Sequence, residues 1–246
     1  MNALLMGVWA ELLKLRRSKI TWIIFWVFLA MPMCMSLFRL ELFKGRGDIF
    51  DIDSIVAYFS MVEQTLALHG LICFGFLCAW VFGREFSDRT VMDLLAMPFP
   101  RSTIVFSKGI ALVAVILVLS ACQFAAFCVM GILVPIEGGF SWEYAAGIFW
   151  RHICLTFMLV SVSTPIVFFA SASRSSMLPL GVLIFVLILS NIVGNIGFAP
   201  YFPWSIPKVY IQDGALDFTS VCILVVSGLA GVAASVAWWR WADLGK

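Results

Sequence analysis

Charged residues are scarce in this chain: Asp, Glu, Lys and Arg together fill 12% of its 246 positions. Soluble domains carry ~25% charge and an apolar fraction near ~45–50%, whereas the apolar fraction here is 63%. A water-soluble globular domain is excluded. No GxxxxGK[ST] loop occurs, and the one Gly-Lys pair is Gly245–Lys246, so P-loop ATP hydrolysis by this chain is excluded as well. HExxH is absent, and Gly139-Phe140-Ser141 lacks the second glycine of a nucleophile elbow. The apolar runs contain no aspartate, which removes the paired-Asp intramembrane proteases. Seven cysteines include no CxxC pair and read as small apolar residues with free thiols. The chain is not expected to be catalytic itself.

What is present is a series of long uncharged runs, at 20–38, 64–82, 109–136, 153–173, 175–202 and 218–239. Each matches or exceeds the ~17–25 residues a helix needs to cross a bilayer. They do not alternate polar and apolar as barrel strands must. The expected fold is an all-α integral membrane protein of six spans, the fifth taken as 175–199, forming one domain over 1–246. With the N-terminus inside, Lys14, Arg16, Arg17, Lys19, Arg84, Arg89, Arg101, Lys108, Arg174, Arg240 and Lys246 fall on the inner side. Only Arg39, Lys44, Arg46, Arg151 and Lys208 fall outside, so both termini are expected to be cytoplasmic. The excess of outer acids, Glu63 and Asp217 among them, agrees. The net charge of +2 follows from this bias and gives no reason to expect nucleic acid.

The basic stretch 2–18 precedes the first apolar run and has no small-residue cleavage site after it, so it is not expected to be a removed signal. Leu5, Val8, Trp9, Leu12 and Leu15 recur near one helical face, which predicts a helix lying in the inner interface. Small residues repeat every four positions at Gly75, Ala79 and Gly83 and at Ser227, Gly231 and Ser235. Such stripes let helices approach closely, within one subunit or across a dimer seam.

Against this background the segment 83–108 stands out, carrying Arg84, Glu85, Asp88, Arg89, Asp93, Arg101 and Lys108 between two spans. A helix hairpin closes in far fewer residues. Ser87 is a candidate N-cap, Val91, Leu94 and Leu95 share a face, and Pro98 and Pro100 end the run. The expectation is a cytoplasmic surface helix whose Glu85, Asp88 and Arg89 are exposed to a soluble partner. At the outer end of the fifth span, Asn191 and Asn195 precede a proline-rich return containing Pro200, Pro203, Trp204 and Pro207. Proline removes backbone donors, so this stretch should bend and return, either as an aromatic belt or as an outer gate.

Two other chemistries compete. His69 and His152 form the only histidine pair available for haem. Met31-Pro32-Met33-Cys34-Met35 has the soft donors of a Cu(I) site, although only positions three or four apart share a helical face. A scaffold subunit that transports nothing is the third class.

The whole pattern resembles the type-2 ABC exporter permeases, the six-span subunits of ATP-driven export pumps. The resemblance runs from ELLKLRRSKITW (11–22) through all six spans and is most specific at Glu85, Arg89-Thr90, Leu94-Leu95, Pro98, Arg101 and Lys108. In that family this segment is the coupling helix docked in a groove of the ATPase. The resemblance therefore implies Glu85, Asp88, Arg89, Thr90, Asp93, Leu94 and Arg101 as coupling residues. It also implies a separate P-loop ATPase that holds ATP and Mg, no cofactor in this chain, and a second permease copy or a related one. The setting would be the bacterial cytoplasmic membrane. The YFPWSIP segment (201–207) looks most like permeases of bacitracin-resistance and lantibiotic self-protection systems, which implies an amphipathic peptide substrate taken from membrane lipid. Drugs, lipid-linked sugars and ions are alternative cargoes.

Overall fold

The computed structural model describes residues 3–39, 55–96, 100–133, 139–175 and 177–242, and these are helical with no strand among them. Helix α1 (Ala3–Arg17) turns through 69° at Ser18 into α2 (Lys19–Arg39). At 1.5 Å per residue the 21 residues of α2 measure about 31 Å, enough for the ~30 Å hydrocarbon core. The bend therefore leaves α1 turned aside from the span, as its amphipathic pattern requires. Helix α3 (Ile55–Thr65) runs through a π-helical turn, Leu66–Gly70, into α4 (Leu71–Ser87). After α5 (Val91–Leu95) come α6 (Arg101–Leu133), α7 (Trp142–Ala172), α8 (Met177–Asn195), the short α9 (Ile206–Asp213) and α10 (Phe218–Trp241). Five of these segments are individually long and apolar enough to span, and the bent α1–α2 pair brings the number to six.

Three spans are longer than their uncharged runs. The second covers Ile55–Ser87, the third Arg101–Leu133 and the fourth Trp142–Ala172. The expected outer loop thus gives way to helix from Ile55 onward, its 40–54 part lying outside the described residues. Helix continues past Glu63, Lys108 and Arg151 because each of these charges is paired inside the protein. A cutoff set at the first charged residue ends such a helix too early.

The most extensive helix pairing is α7 against α10. Pro165 of α7 has no N–H for the Ser161 carbonyl one turn back. Thr164 Oγ1 lies 2.9 Å from that carbonyl oxygen and 3.0 Å from the Gly228 carbonyl oxygen, and Ser161 Oγ donates to the Leu224 carbonyl at 2.8 Å. A Cβ on Gly231 would lie 2.6 Å from the Pro165 nitrogen, so only glycine allows this approach. The Ser227–Gly231–Ser235 stripe is therefore used within the subunit. Gly75 likewise seats Leu183 of α8 against α4. Helices α8 and α10 keep most of their apolar surface outward, with only 17% of each span's apolar window buried.

Candidate functional site

At the inner end of the bundle α4, α5, α6 and α1 converge. Helix α4 ends in a Schellman turn: Arg89 N–H donates to the Phe86 carbonyl at 3.2 Å and Thr90 N–H to the Glu85 carbonyl at 3.0 Å. Arg89 occupies the left-handed position, φ 57°, where glycine is usual. Thr90, rather than the expected Ser87, holds the N-cap position of α5 without a side-chain cap bond; Ser87 closes α4 with its hydroxyl on the Gly83 carbonyl.

The turn is anchored by a charge quartet in which Glu11, Glu85 and Lys108 are buried and Lys14 is 38% exposed. Lys108, 0% exposed, places Nζ 2.6 Å from Glu85 Oε1 and 3.0 Å from Glu11 Oε2. The second of these contacts is ionic, without hydrogen-bond alignment. Lys14 reaches Glu11 Oε1 at 2.9 Å and Glu85 Oε1 at 3.3 Å, and Thr90 Oγ1 donates to Glu85 Oε2. Two acids and two bases from α1, α4 and α6 cancel in charge. Burial draws the Lys14 ammonium pKa down, but Glu11 and then Glu85 more than offset this, leaving it above its ordinary value.

This arrangement corrects one expectation. Glu85 is 2% exposed and cannot touch a soluble partner directly, because it closes the last turn of α4 toward Lys108. Charge is buried again at Glu63, which pairs with the part-exposed Arg151. Thr90 and Leu94 face inward with Glu85. Asp88, Arg89 and Asp93 are exposed on one short stretch, as is Arg101 at the start of α6, whose Nη1 donates to the Ala242 carbonyl at 3.3 Å. Met92, 58% exposed between them, was not singled out in sequence. Pro98 lies outside the described residues. The C-terminal end of α10 closes over this region, Trp238 and Trp239 packing on Phe86.

The opposite end holds the proline-rich return. After α8 the chain passes a 3-10 turn, Ala199–Tyr201, and dips back so that Ser205 Oγ lies 2.9 Å from Ser190 Oγ. Ser190 is five residues before the end of α8, about 7.5 Å down its axis. Helix α9 is held there by Arg151, which meets Glu63 with two hydrogen bonds, 2.8 and 3.1 Å, and lies 5.5 Å from the Tyr210 ring centre. A cavity of about 370 Å³ opens between the π-helical turn, α8 and α9. It brings Asn191, Trp204 and Pro207 together, while Asn195, Pro200 and Pro203 do not line it. The Pro200 carbonyl accepts from Ser220 of α10 instead, at 2.9 Å.

Between α6 and α7 a further polar group is fully buried. His152 Nε2 is 3.1 Å from the Ser120 carbonyl, and Ser120 Oγ is 2.6 Å from Thr156 Oγ1. Gln123, also 0% exposed, has no hydrogen-bond partner among the described residues. Residue types alone did not reveal this group, because Ser, Thr and Gln are ordinary within spans. His69 lies on the π-helical turn, Nδ1 3.0 Å from the Thr65 carbonyl. Each histidine thus has one ring nitrogen at a backbone carbonyl. Met33 and Cys34 point outward from α2, and no cluster of three His, Cys, Asp or Glu occurs among the described residues.

Residues 7–191 match the family described as ABC-2 family transporter protein, and the chain belongs to that family. It is a multi-pass membrane permease of the ABC transporter class. It is similar to the bacitracin transport permease protein BCRB of Bacillus licheniformis, 27% identical over 173 residues that cover 66% of this chain and 81% of that protein.

Proposed function

We propose that this permease works with a separate P-loop ATPase and a second permease subunit to extrude an amphipathic peptide antibiotic, of bacitracin or lantibiotic type, from the membrane. ATP and Mg would be held by the partner. The observation that carries the reading is the quartet and its three buried charges, Glu11, Glu85 and Lys108. It fastens α1, the end of α4 and the start of α6 together, and the exposed Asp88–Asp93 stretch projects from that unit. A push on the exposed stretch is then delivered to two spans at once, because breaking the unit would strand a charge out of water. The peptide cargo rests on the similarity to the bacitracin permease, and drugs, lipid-linked sugars and ions are its alternatives.

A nucleotide-driven partner can shift the permease only through differential affinity for two of its states. The experiment is bacitracin and nisin protection of cells expressing the permease with its cognate ATPase, compared with cells carrying D88K/R89E/D93K in the permease. Protection that is lost in the triple variant at unchanged membrane abundance supports the reading. Protection unaffected by the variant contradicts the coupling role, and no protection from either peptide with the native pair contradicts the cargo.

A further inference from the structure

The outer cavity has walls of two kinds. Leu68, Leu71, Leu159, Leu187 and Ile211 form an apolar slot descending between α4, α7 and α8. Above them stand Trp204, Lys208, Gln64 and Gln212. The Trp204 Nε1–H is buried and has no hydrogen-bond partner among the described residues. Trp204 itself lines the cavity, so an acceptor entering there gains this N–H when the indole turns toward it. Lys208 makes no ion pair among the described residues, and no acidic side chain lines the cavity. The nearby acid that could have neutralised it, Glu63, is committed to Arg151 with both oxygens.

An apolar slot capped by an unpaired N–H, a free ammonium and two amides is complementary to one chemistry, an alkyl chain carrying an anionic head. A cationic head would meet Lys208 without a counter-charge. The dip of the chain at Ser205, pinned to Ser190, sets Trp204 and the start of α9 below the end of α8, beside the apolar slot and not beyond the helix ends.

We infer that the cavity between the π-helical turn, α8 and α9 is a binding site for an anionic lipid of the outer leaflet, its phosphate held by Lys208 and Trp204 and its chain lying against Leu71, Leu159 and Leu187. This deepens the export reading, and rests on it only for the idea that such a lipid, free or bound to a peptide, is cargo. Binding is a property of this chain and is measured without transport.

The test uses the full chain in phosphatidylcholine nanodiscs and radiolabelled dodecyl phosphate as probe, read by scintillation proximity. Saturable binding is expected, weakened about tenfold or more by K208Q, in line with loss of a charge-assisted contact. W204F should weaken it several-fold, and dodecylphosphocholine should compete at least about tenfold less well than unlabelled dodecyl phosphate. K208Q alters an exposed side chain and should leave thermal unfolding unchanged, which separates loss of the site from loss of the fold. Equal binding by K208Q and the native chain would overturn the inference, and so would equal competition by the phosphocholine, which would leave only an apolar slot. Inorganic phosphate competing as well as dodecyl phosphate would overturn the lipid assignment in favour of a free-anion site. Displacement by a cationic peptide, equal in native and K208Q protein, would assign the cavity to peptide instead. If binding behaves as expected while cells show no antibiotic protection, the site stands and the cargo proposal fails alone.

Discussion

Lys108 is the side chain on which the inner site turns. An ammonium with 0% exposure is tolerable only because Glu85 and Glu11 lie within 3.0 Å of it. Removing one member of a buried pair typically costs ~3–5 kcal/mol. K108M should accordingly lose about that much, read as reversible unfolding in mixed micelles, whereas D88N and D93N should stay within about 0.5 kcal/mol of native. Gln123 makes the opposite case. Its amide has no partner among the described residues, so Q123M removes a desolvation cost at similar volume and should raise stability by about 1–2 kcal/mol in the same assay. A loss of that size instead would mean the amide is satisfied in the membrane.

None of these pairings was legible in the residues alone. Glu11 and Lys14 are three apart and read as an ordinary exposed helical pair. That Glu85 and Lys108, 23 positions apart, meet them is set by how three helices converge. Glu63 and Arg151, 88 apart, were assigned to outer segments for the same reason. Charge in a sequence reads as solvated until its partner is seen.

At the scale of elements, each uncharged run overlaps one of the long helices, but hydropathy truncated those continuing through a paired charge, as α6 does at Lys108 and α7 at Arg151. The amphipathic spacing predicts an interfacial helix over 2–18 but not its 69° bend from α2, and α1 turns Glu11 and Leu15 inward against the bundle and leaves Leu5 and Trp9 outward. The proline-rich return was foreseen as a bend, and its cavity was not, since cavities come from the packing of α8 and α9 on α4. Two elements invite direct tests. In the α4–α5 turn, Arg89 holds a left-handed conformation that suits glycine better, by about 1 kcal/mol. R89G should therefore keep or slightly raise thermal stability while weakening ATPase association, because the guanidinium is what faces outward. In the α7–α10 seam, G231L would drive carbon into the Pro165 backbone. It should destabilise by about 3 kcal/mol or more, seen as loss of folded protein in the membrane.

For the whole molecule, we propose that α1, the end of α4 and the start of α6 move as one body when the ATPase pushes. A Cβ on Gly7 would fall 2.9 Å from that of Ser107, so a G7C/S107C pair in a background lacking the seven native cysteines can be cross-linked once the two helices give by the ~0.6 Å that reaches the ~3.5–4.5 Å of a disulfide. Cross-linking should leave transport at or near its reduced level. Arrest on oxidation, reversed by reductant, would show that α1 slides on α6 and would remove the single-body picture.

Coupling through the Asp88–Asp93 stretch is read from the stoichiometry of the ATPase that co-purifies with the tagged permease from native membranes, compared with D88K/R89E/D93K. A P-loop ATPase in near-equal amount with the native chain, lost from the triple variant at unchanged thermal stability, is the predicted result. Undiminished ATPase on the triple variant, or none with the native chain, would contradict it.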